Sequence, residues 1–167
     1  RRMRINACIC VPARNEAAHI ATLLDALAHQ DVDHRFAVAI CVNNSVDDTA
    51  RIARDVAQRL RSGMTVDIRE FAFEAELAHA GSARRAAMDL GAELLGRDGG
   101  LLISTDADCR PPEDWIAANL AAALPNRIVG GRIELDESES PQAPEIFALR
   151  RRMDDYWRRV RAIEGSI

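Results

Sequence analysis

Asp106 and Asp108 stand one residue apart directly behind the apolar run Leu101-Leu102-Ile103, which itself follows Gly99-Gly100. A short apolar run bounded by turn residues predicts a buried strand. In open parallel sheets, ligands bind just beyond the carboxyl ends of strands. Two carboxylates leaving such a strand can share one hard cation, and cations of the magnesium type bridge protein carboxylates to substrate phosphates. The chemistry this points to is a metal-held diphosphate. A plainer reading is a turn in which Asp106 and Asp108 cap the next helix, and Asp-x-Asp alone does not choose between the two.

The elements that would position these residues alternate along the chain. Arg4–Val11 predicts a first strand, closed by Pro12. Asn15 is the expected N-cap of a helix reaching Gln30, with Ile20, Leu23, Leu24 and Leu27 as its apolar stripe. Phe36–Val42 is apolar throughout and predicts a strand covered on both faces. The polar stretch Asn43–Thr49 contains Ser45 and Asp48 at capping-box spacing and opens a helix that carries Ile52, Val56 and Leu60 inward. Met64–Glu70 is a third strand. Ala80–Leu95 is a helix with Ala83, Ala87, Leu90 and Leu94 on one face, and the Leu101 strand follows. Pro111-Pro112-Glu113-Asp114 opens a helix through Leu124. Arg127–Leu135 reads as a final strand, Asp136–Pro144 as an acidic Ser/Pro-rich loop, and Glu145–Ile163 as an amphipathic helix. Four alternations of strand and helix predict an α/β sandwich on a mainly parallel sheet.

Composition narrows the function. The chain has 167 residues, enough for one domain with a sizeable core, with 48% hydrophobic and 29% charged residues. A net charge of −4 argues against a general nucleic-acid binder. All 22 basic residues are arginine, so lysine is excluded as a catalytic or phosphate-binding group. Cys8, Cys10, Cys41 and Cys109 have neither zinc nor redox spacing, and three of them fall in apolar runs, where buried free thiols are the ordinary outcome. No signal peptide or membrane-spanning stretch is apparent, and a reducing cytoplasm is the expected location.

Three loops should meet at the carboxyl edge of the sheet: Pro12-Ala13-Arg14-Asn15-Glu16, Asn43–Thr49 and Asp106-Ala107-Asp108. Taken in order, Pro-x-Arg-Asn-Glu, Asn-Ser-x-Asp-Asp-Thr, Ala83-Arg84 and Asp-Ala-Asp resemble the GT-A-fold glycosyltransferases, and more narrowly their family-two inverting members. The resemblance covers roughly Asn6–Leu124. It implies a GT-A, Rossmann-like α/β/α sandwich. Residues 1–125 would form the domain that binds a nucleotide-sugar donor, and 126–167 part of an acceptor-side region.

The resemblance also implies roles. Pro12, Ala13, Arg14 and Glu16 would line the nucleoside pocket, and Asn43 would read the base, commonly uracil. Ser45 and Asp47 would hold the second loop. Arg84 would lie near the nucleotide. Asp106 would contact the ribose or a metal-bound water, and Asp108 the metal, magnesium or manganese. General chemistry agrees: a departing diphosphate needs its developing charge stabilised, which a divalent cation in an oxygen-lined site supplies, and an asparagine can donate and accept at a pyrimidine edge. Val42 departs from the family, many members having the first of two acidic residues there, and Arg85 replaces the asparagine of Ala-Arg-Asn. Inverting members use a carboxylate as general base. None stands in a recognisable motif here, although Asp154, Asp155 and Glu164 are available.

Other features have plain readings beside sharper ones. His19, His29, His34 and His79 are scattered, as surface or cap residues are. Arg14 could bridge to Glu16. On the last helix Leu149, Met153, Tyr156, Val160 and Ile163 share a face, and Arg150, Arg151, Arg152, Arg158, Arg159 and Arg161 occupy much of the rest. That pattern suits a helix docked on the core, or one that meets anionic lipid or a lipid-phosphate acceptor. The expected activity is metal-dependent, inverting transfer of a sugar from a nucleotide-diphosphate donor to an acceptor that the sequence does not identify. The alternatives are a sugar nucleotidyltransferase, which would want a glycine-rich basic loop after the first strand, and a nucleotide-sugar binding module without catalysis.

Overall fold

The computed structural model describes residues 5–33, 35–60, 64–131, 133–134 and 144–164. The chain divides into two compact units, Arg1–Val129 and Gly130–Ile167. The first holds a sheet of four parallel strands, β1 (Ile5–Ala13), β2 (Arg35–Asn43), β3 (Thr65–Phe71) and β4 (Leu101–Ser104), in the order β3-β2-β1-β4. Helices α1 (Ile20–Ala28), α2 (Thr49–Arg59) and α3 (Ala80–Leu95) make the crossovers, and α4 (Trp115–Ala122) follows β4. The architecture is the expected three-layer sandwich.

Side-chain alternation along β1 and β2 builds two different cores. On one face Ala7, Ile9, Val11 and Ala13 of β1, with Phe36, Val38, Ile40 and Val42 of β2, pack against Ile20, Leu23, Leu24 and Leu27 of α1, Ala53 and Val56 of α2 and Ile116 of α4. On the other face the fully buried strand residues are Cys8, Cys10, Ala37, Ala39 and Cys41, covered by Ala83, Ala87, Leu90 and Leu95 of α3, with Ile5, Phe71 and Leu102 partly buried around them. Large side chains therefore fill the α1–α2 side, and small ones let α3 approach the sheet closely. The three strand cysteines are buried free thiols, as expected. The neighbouring Cys10, together with burial, pushes the Cys8 thiol far above its usual range, and burial pushes Cys41 up to about 11.

Several boundaries differ from the sequence reading. The helix expected after Pro111 begins only at Trp115, because Trp115 N–H bonds to the Pro112 carbonyl in a preceding turn (3.0 Å). The third strand runs one residue later than expected, ending at Phe71 beside Asn43. The strand expected at Arg127–Leu135 is absent among the described residues of that stretch. Ile128 is fully exposed, and Val129 and Ile133 are at least half exposed, so no apolar face is buried to reward pairing. The Gly130-Gly131 pair adds the entropic cost of ordering two glycines. The acidic loop 136–143 lies outside the described residues.

In the second unit the described structure is dominated by α5 (Pro144–Glu164), 21 residues long. On its apolar stripe Leu149, Met153 and Tyr156 are 53%, 47% and 61% exposed. Among the described residues, no helix is long and apolar enough to cross a membrane.

Gly91 marks the closest approach of α3 to the sheet. A Cβ there would lie 2.6 Å from Cys10 Sγ, 3.0 Å from Leu102 Cδ2 and 3.2 Å from Cys8 Sγ. Helix propensity alone would make Gly91→Ala stabilising by about 1 kcal/mol. Overpacking a filled interior costs roughly 1–3 kcal/mol, and two of the three neighbours are sulfurs held on a central strand. Gly91→Ala should therefore lower the thermal midpoint; a rise in Tm would show that α3 can move away from the sheet without loss.

Candidate functional site

Because every strand is parallel, the loops after β1, β2 and β4 open on the same edge of the sheet. The strand order reverses between β1 and β4, and that reversal is where open α/β sheets form their ligand crevice. Cys10 is level with Ser104 across this pair, so the β1 exit and the Asp106–Asp108 loop are neighbours by register.

The β1 and β2 loops are stitched together through backbone amides. Asn15 N–H donates to Ser45 Oγ (3.0 Å), Glu16 N–H to Thr49 Oγ1 (2.8 Å), and Ala17 N–H to Asp47 Oδ2 (3.1 Å). In return, Val46 N–H donates to Asn15 Oδ1 (2.9 Å). The Thr49 hydroxyl donates to Asp47 Oδ1, which also accepts from Thr49 N–H (3.1 Å). Thr49 is fully buried, so this hydroxyl serves both loops from the interior.

Asn15 is thus not a helix cap. Its backbone lies in the left-handed region at φ 56° and its side chain holds the neighbouring loop, while α1 starts four residues beyond the expected site, after His19. Ser45 and Asp48 likewise form no capping box. Ser45 is taken by Asn15, and Asp48 turns outward to Arg51 (2.9 Å). Ser45 and Asp47 hold the loop as the resemblance implied, by bonds to the other loop.

Asn44, also left-handed at φ 47°, ties the second loop to β3: Asn44 Nδ2 donates to the Phe73 carbonyl (2.9 Å) and Phe73 N–H to Asn44 Oδ1 (3.1 Å). Both ends of its amide are engaged with protein backbone. Asn43, the last residue of β2, is 2% exposed, so a ligand could meet only the edge of its side chain.

Arg14 does not bridge to Glu16. Its Nη1 donates to the Ala78 carbonyl (3.0 Å), clasping the β1 loop to the segment that enters α3, while the Glu16 carboxylate pairs with His19 (2.9 Å). Pro12 and Ala13 are the last residues of β1, in register with Cys41 and Val42. His79 caps α3, its Nδ1 accepting from Ser82 N–H (3.3 Å), one of the cap roles open to the histidines. His34 lies outside the described residues.

Arg84 brings a cation to the β4 exit. From the first turns of α3 its guanidinium spans Ser104 Oγ and Asp106 Oδ1, both at 2.6 Å. Ser104 was not foreseen. The available clue was its place as the last residue of the apolar run, where an arginine fork needing two acceptors can reach it. Asp106 and Asp108 are exposed and flank Ala107, which is buried at 2%; the buried alanine turns both carboxylates outward. With Oδ1 of Asp106 held by Arg84, its other oxygen and the Asp108 carboxylate face solvent at the end of β4. Hard oxygen donors of this kind suit magnesium or manganese. No three His, Cys, Asp or Glu side chains gather as a metal cage among the described residues, so these two carboxylates would rely on substrate phosphates and water to complete a shell. Asp154 and Asp155, on α5, are each engaged by an arginine of the same helix, at 3.3 and 3.0 Å.

The Thr49 hydroxyl holds the Asp47 carboxyl below the usual carboxylate range, with the Ala17 and Thr49 amides adding to the effect. A lowered folded-state value means that the ionised form is favoured by folding. That contribution is present at neutral pH and is lost as the pH falls below about 4, through the lowered value. Thr49→Val removes the hydroxyl and leaves the Glu16 amide without its acceptor, and should cost about 1–3 kcal/mol at pH 7. In urea titrations, the gap between wild type and Thr49→Val should shrink below pH 4. A gap independent of pH would separate Thr49 from Asp47.

Comparison with known proteins bears on family and fold. The family model described as glycosyl transferase family 2 matches residues 8–161. A search of curated proteins finds no match. Among solved structures, the chain resembles the crystal structure of S. aureus TarS 1-349, with TM-score 0.54, 22% identity, 70% of this chain covered and 32% of that one. It also resembles the same TarS segment in complex with UDP, with TM-score 0.56, 20% identity, and 70% and 31% covered. At that identity the likeness concerns the fold, and the chain spans about a third of the TarS structures it matches. The four-stranded parallel sheet is that of the GT-A fold, and the chain belongs to glycosyl transferase family 2.

Proposed function

We propose that this chain forms the donor site of a metal-dependent, inverting glycosyltransferase that uses a nucleotide-diphosphate sugar. The observation that carries the reading is the meeting of Asp106, Asp108 and Arg84 at the β1–β4 reversal, beside the stitched Pro12–Glu16 and Asn43–Thr49 loops. The TarS complex with UDP favours a uridine nucleotide.

Pro12, Ala13, Arg14 and Glu16 border the nucleoside, and Asn43 offers the edge of its amide to the base. Thr49 and Asp47 keep the two loops in register, so the pocket is formed before the donor arrives and little ordering entropy is lost on binding. Arg84 fixes the rotamer of Asp106 and supplies positive charge near the phosphates. A divalent cation held by Asp106 and Asp108 would neutralise charge on the departing diphosphate. Transfer with inversion requires an acceptor hydroxyl to attack the anomeric carbon from the face opposite the leaving group while a base takes its proton. No described residue is assigned that role. A donor-binding module without catalysis is the second reading, favoured by the pairing of Asp154 and Asp155 with arginines. Release of free sugar from UDP-sugars, at a rate abolished by Asp108→Asn, would decide for the enzyme.

Calorimetry with UDP and with GDP should show binding that needs manganese or magnesium and is lost with chelator. Equal affinity in both conditions would remove the metal from the site. Asn43→Ala should weaken nucleotide binding by about 1–3 kcal/mol, the cost of leaving a buried polar partner unpaired. Since Asn43 is buried, the thermal midpoint must be followed in parallel. A fall in Tm with unchanged affinity would make Asn43 a structural residue.

A further inference from the structure

Helix α5 has a surface that the donor site does not use. Ile146, Leu149, Met153, Tyr156 and Trp157 are each 47–61% exposed. At about 3.6 residues per turn they fall within an arc of roughly 100°. Tyr156 and Trp157 meet edge to face with centroids 5.3 Å apart, so the arc carries a preformed aromatic pair. The same geometry places Arg152 and Arg159 along one border of the arc and Arg150 along the other. Arg152 and Arg159 have no acidic partner among the described residues. The central acids lie off the arc and are occupied, Asp154 by Arg150 and Asp155 by Arg158.

We infer that α5 is an interfacial helix that lies on an anionic membrane surface, its apolar arc in the headgroup–acyl boundary and Arg152 and Arg159 on lipid phosphates. Charge complementarity selects this occupant. An apolar arc edged by long cationic side chains lets the arginine stems extend along the apolar surface while the guanidinium heads reach phosphate. Tyrosine and tryptophan favour that same boundary, where one end of the ring is apolar and the other wet. No described helix is long and apolar enough to span a bilayer, and the proposed contact of α5 is with the membrane surface.

The test uses the whole 167-residue chain and sedimentation with vesicles of phosphatidylcholine, alone or mixed equally with phosphatidylglycerol. The mixed vesicles should bind the protein at least tenfold more strongly than phosphatidylcholine alone, with a blue shift of tryptophan emission, and raised salt should weaken binding. Arg152→Gln with Arg159→Gln should weaken it on the order of tenfold. Leu149→Asp with Met153→Asp should abolish it. Nucleotide affinity should be unchanged in both variants, since none of these residues belongs to the donor site. The arginine variant alters only exposed side chains, so it remains informative if the aspartate variant fails to fold. Failure of the wild-type chain to bind either vesicle would overturn the inference. So would equal binding to both vesicles, or a dimer in solution that Met153→Asp disperses while vesicle binding stays absent. A chain that binds vesicles but no nucleotide would sink the donor-site reading and leave this one standing.

Discussion

The close approach of α3 to a sheet face whose fully buried residues are small is the constraint on which the site rests. Cys8, Cys10, Ala37, Ala39 and Cys41 offer little bulk, and α3 answers with Ala83, Ala87 and Gly91. An arginine on the first turns of a helix so placed can reach the end of the neighbouring strand. Arg84 does so, gripping Ser104 and Asp106 at once. Larger residues on either surface would push α3 outward and draw the guanidinium away from both acceptors. The opposite face, filled by isoleucine, leucine and valine from β1, β2 and α1, has no such role and supplies apolar burial.

A second constraint is backbone accounting. The β1 loop must turn sharply from strand to helix, leaving the amides of residues 15–17 outside any ladder. Unpaired amides near the interior are costly, and the neighbouring loop supplies Ser45, Thr49 and Asp47 as their acceptors. Asn15 and Asn44 adopt left-handed backbone that asparagine tolerates better than most residues, and each uses its amide to hold another segment. Polar residues that resemble ligand contacts are therefore partly occupied by one another. What they would contribute to the proposed donor is a rigid rim.

Charge at the site follows from which residues remain. With Asp47 and Asp48 used by Thr49 and Arg51, the carboxylates facing solvent at the β4 exit are Asp108 and the second oxygen of Asp106. A chain without lysine has arginine alone to offset phosphate charge there, and Arg84 is already shared with Asp106. A diphosphate bound at this edge, as proposed, would gain from a cation held by the carboxylates, which ties the proposed metal to the local charge balance.

Periodicity and local chemistry determined much of this architecture before any tertiary contact was known. The apolar runs of β1, β2 and β4, the stripe of α1 and the bounds of α3 at Ala80 and Leu95 are properties of short windows, and they survive because each window's preference agrees with its burial. The order of the polar loops was legible for the same reason, since strand ends in a parallel sheet must share an edge. Tertiary structure decided where side-chain preferences compete. Asn15 and Ser45 each favour a helix cap locally, but the amides of the adjacent loop outbid that role because they would otherwise be stranded. Arg127–Leu135 has apolar residues a strand could use, yet a strand exists only when a neighbour completes its ladder, and the exposure of Ile128 and Ile133 shows that none was secured among the described residues. The apolar face of α5 was equally plain in sequence. Its exposure was not, because a hydrophobic stripe declares that it can be covered and leaves what covers it to the surroundings.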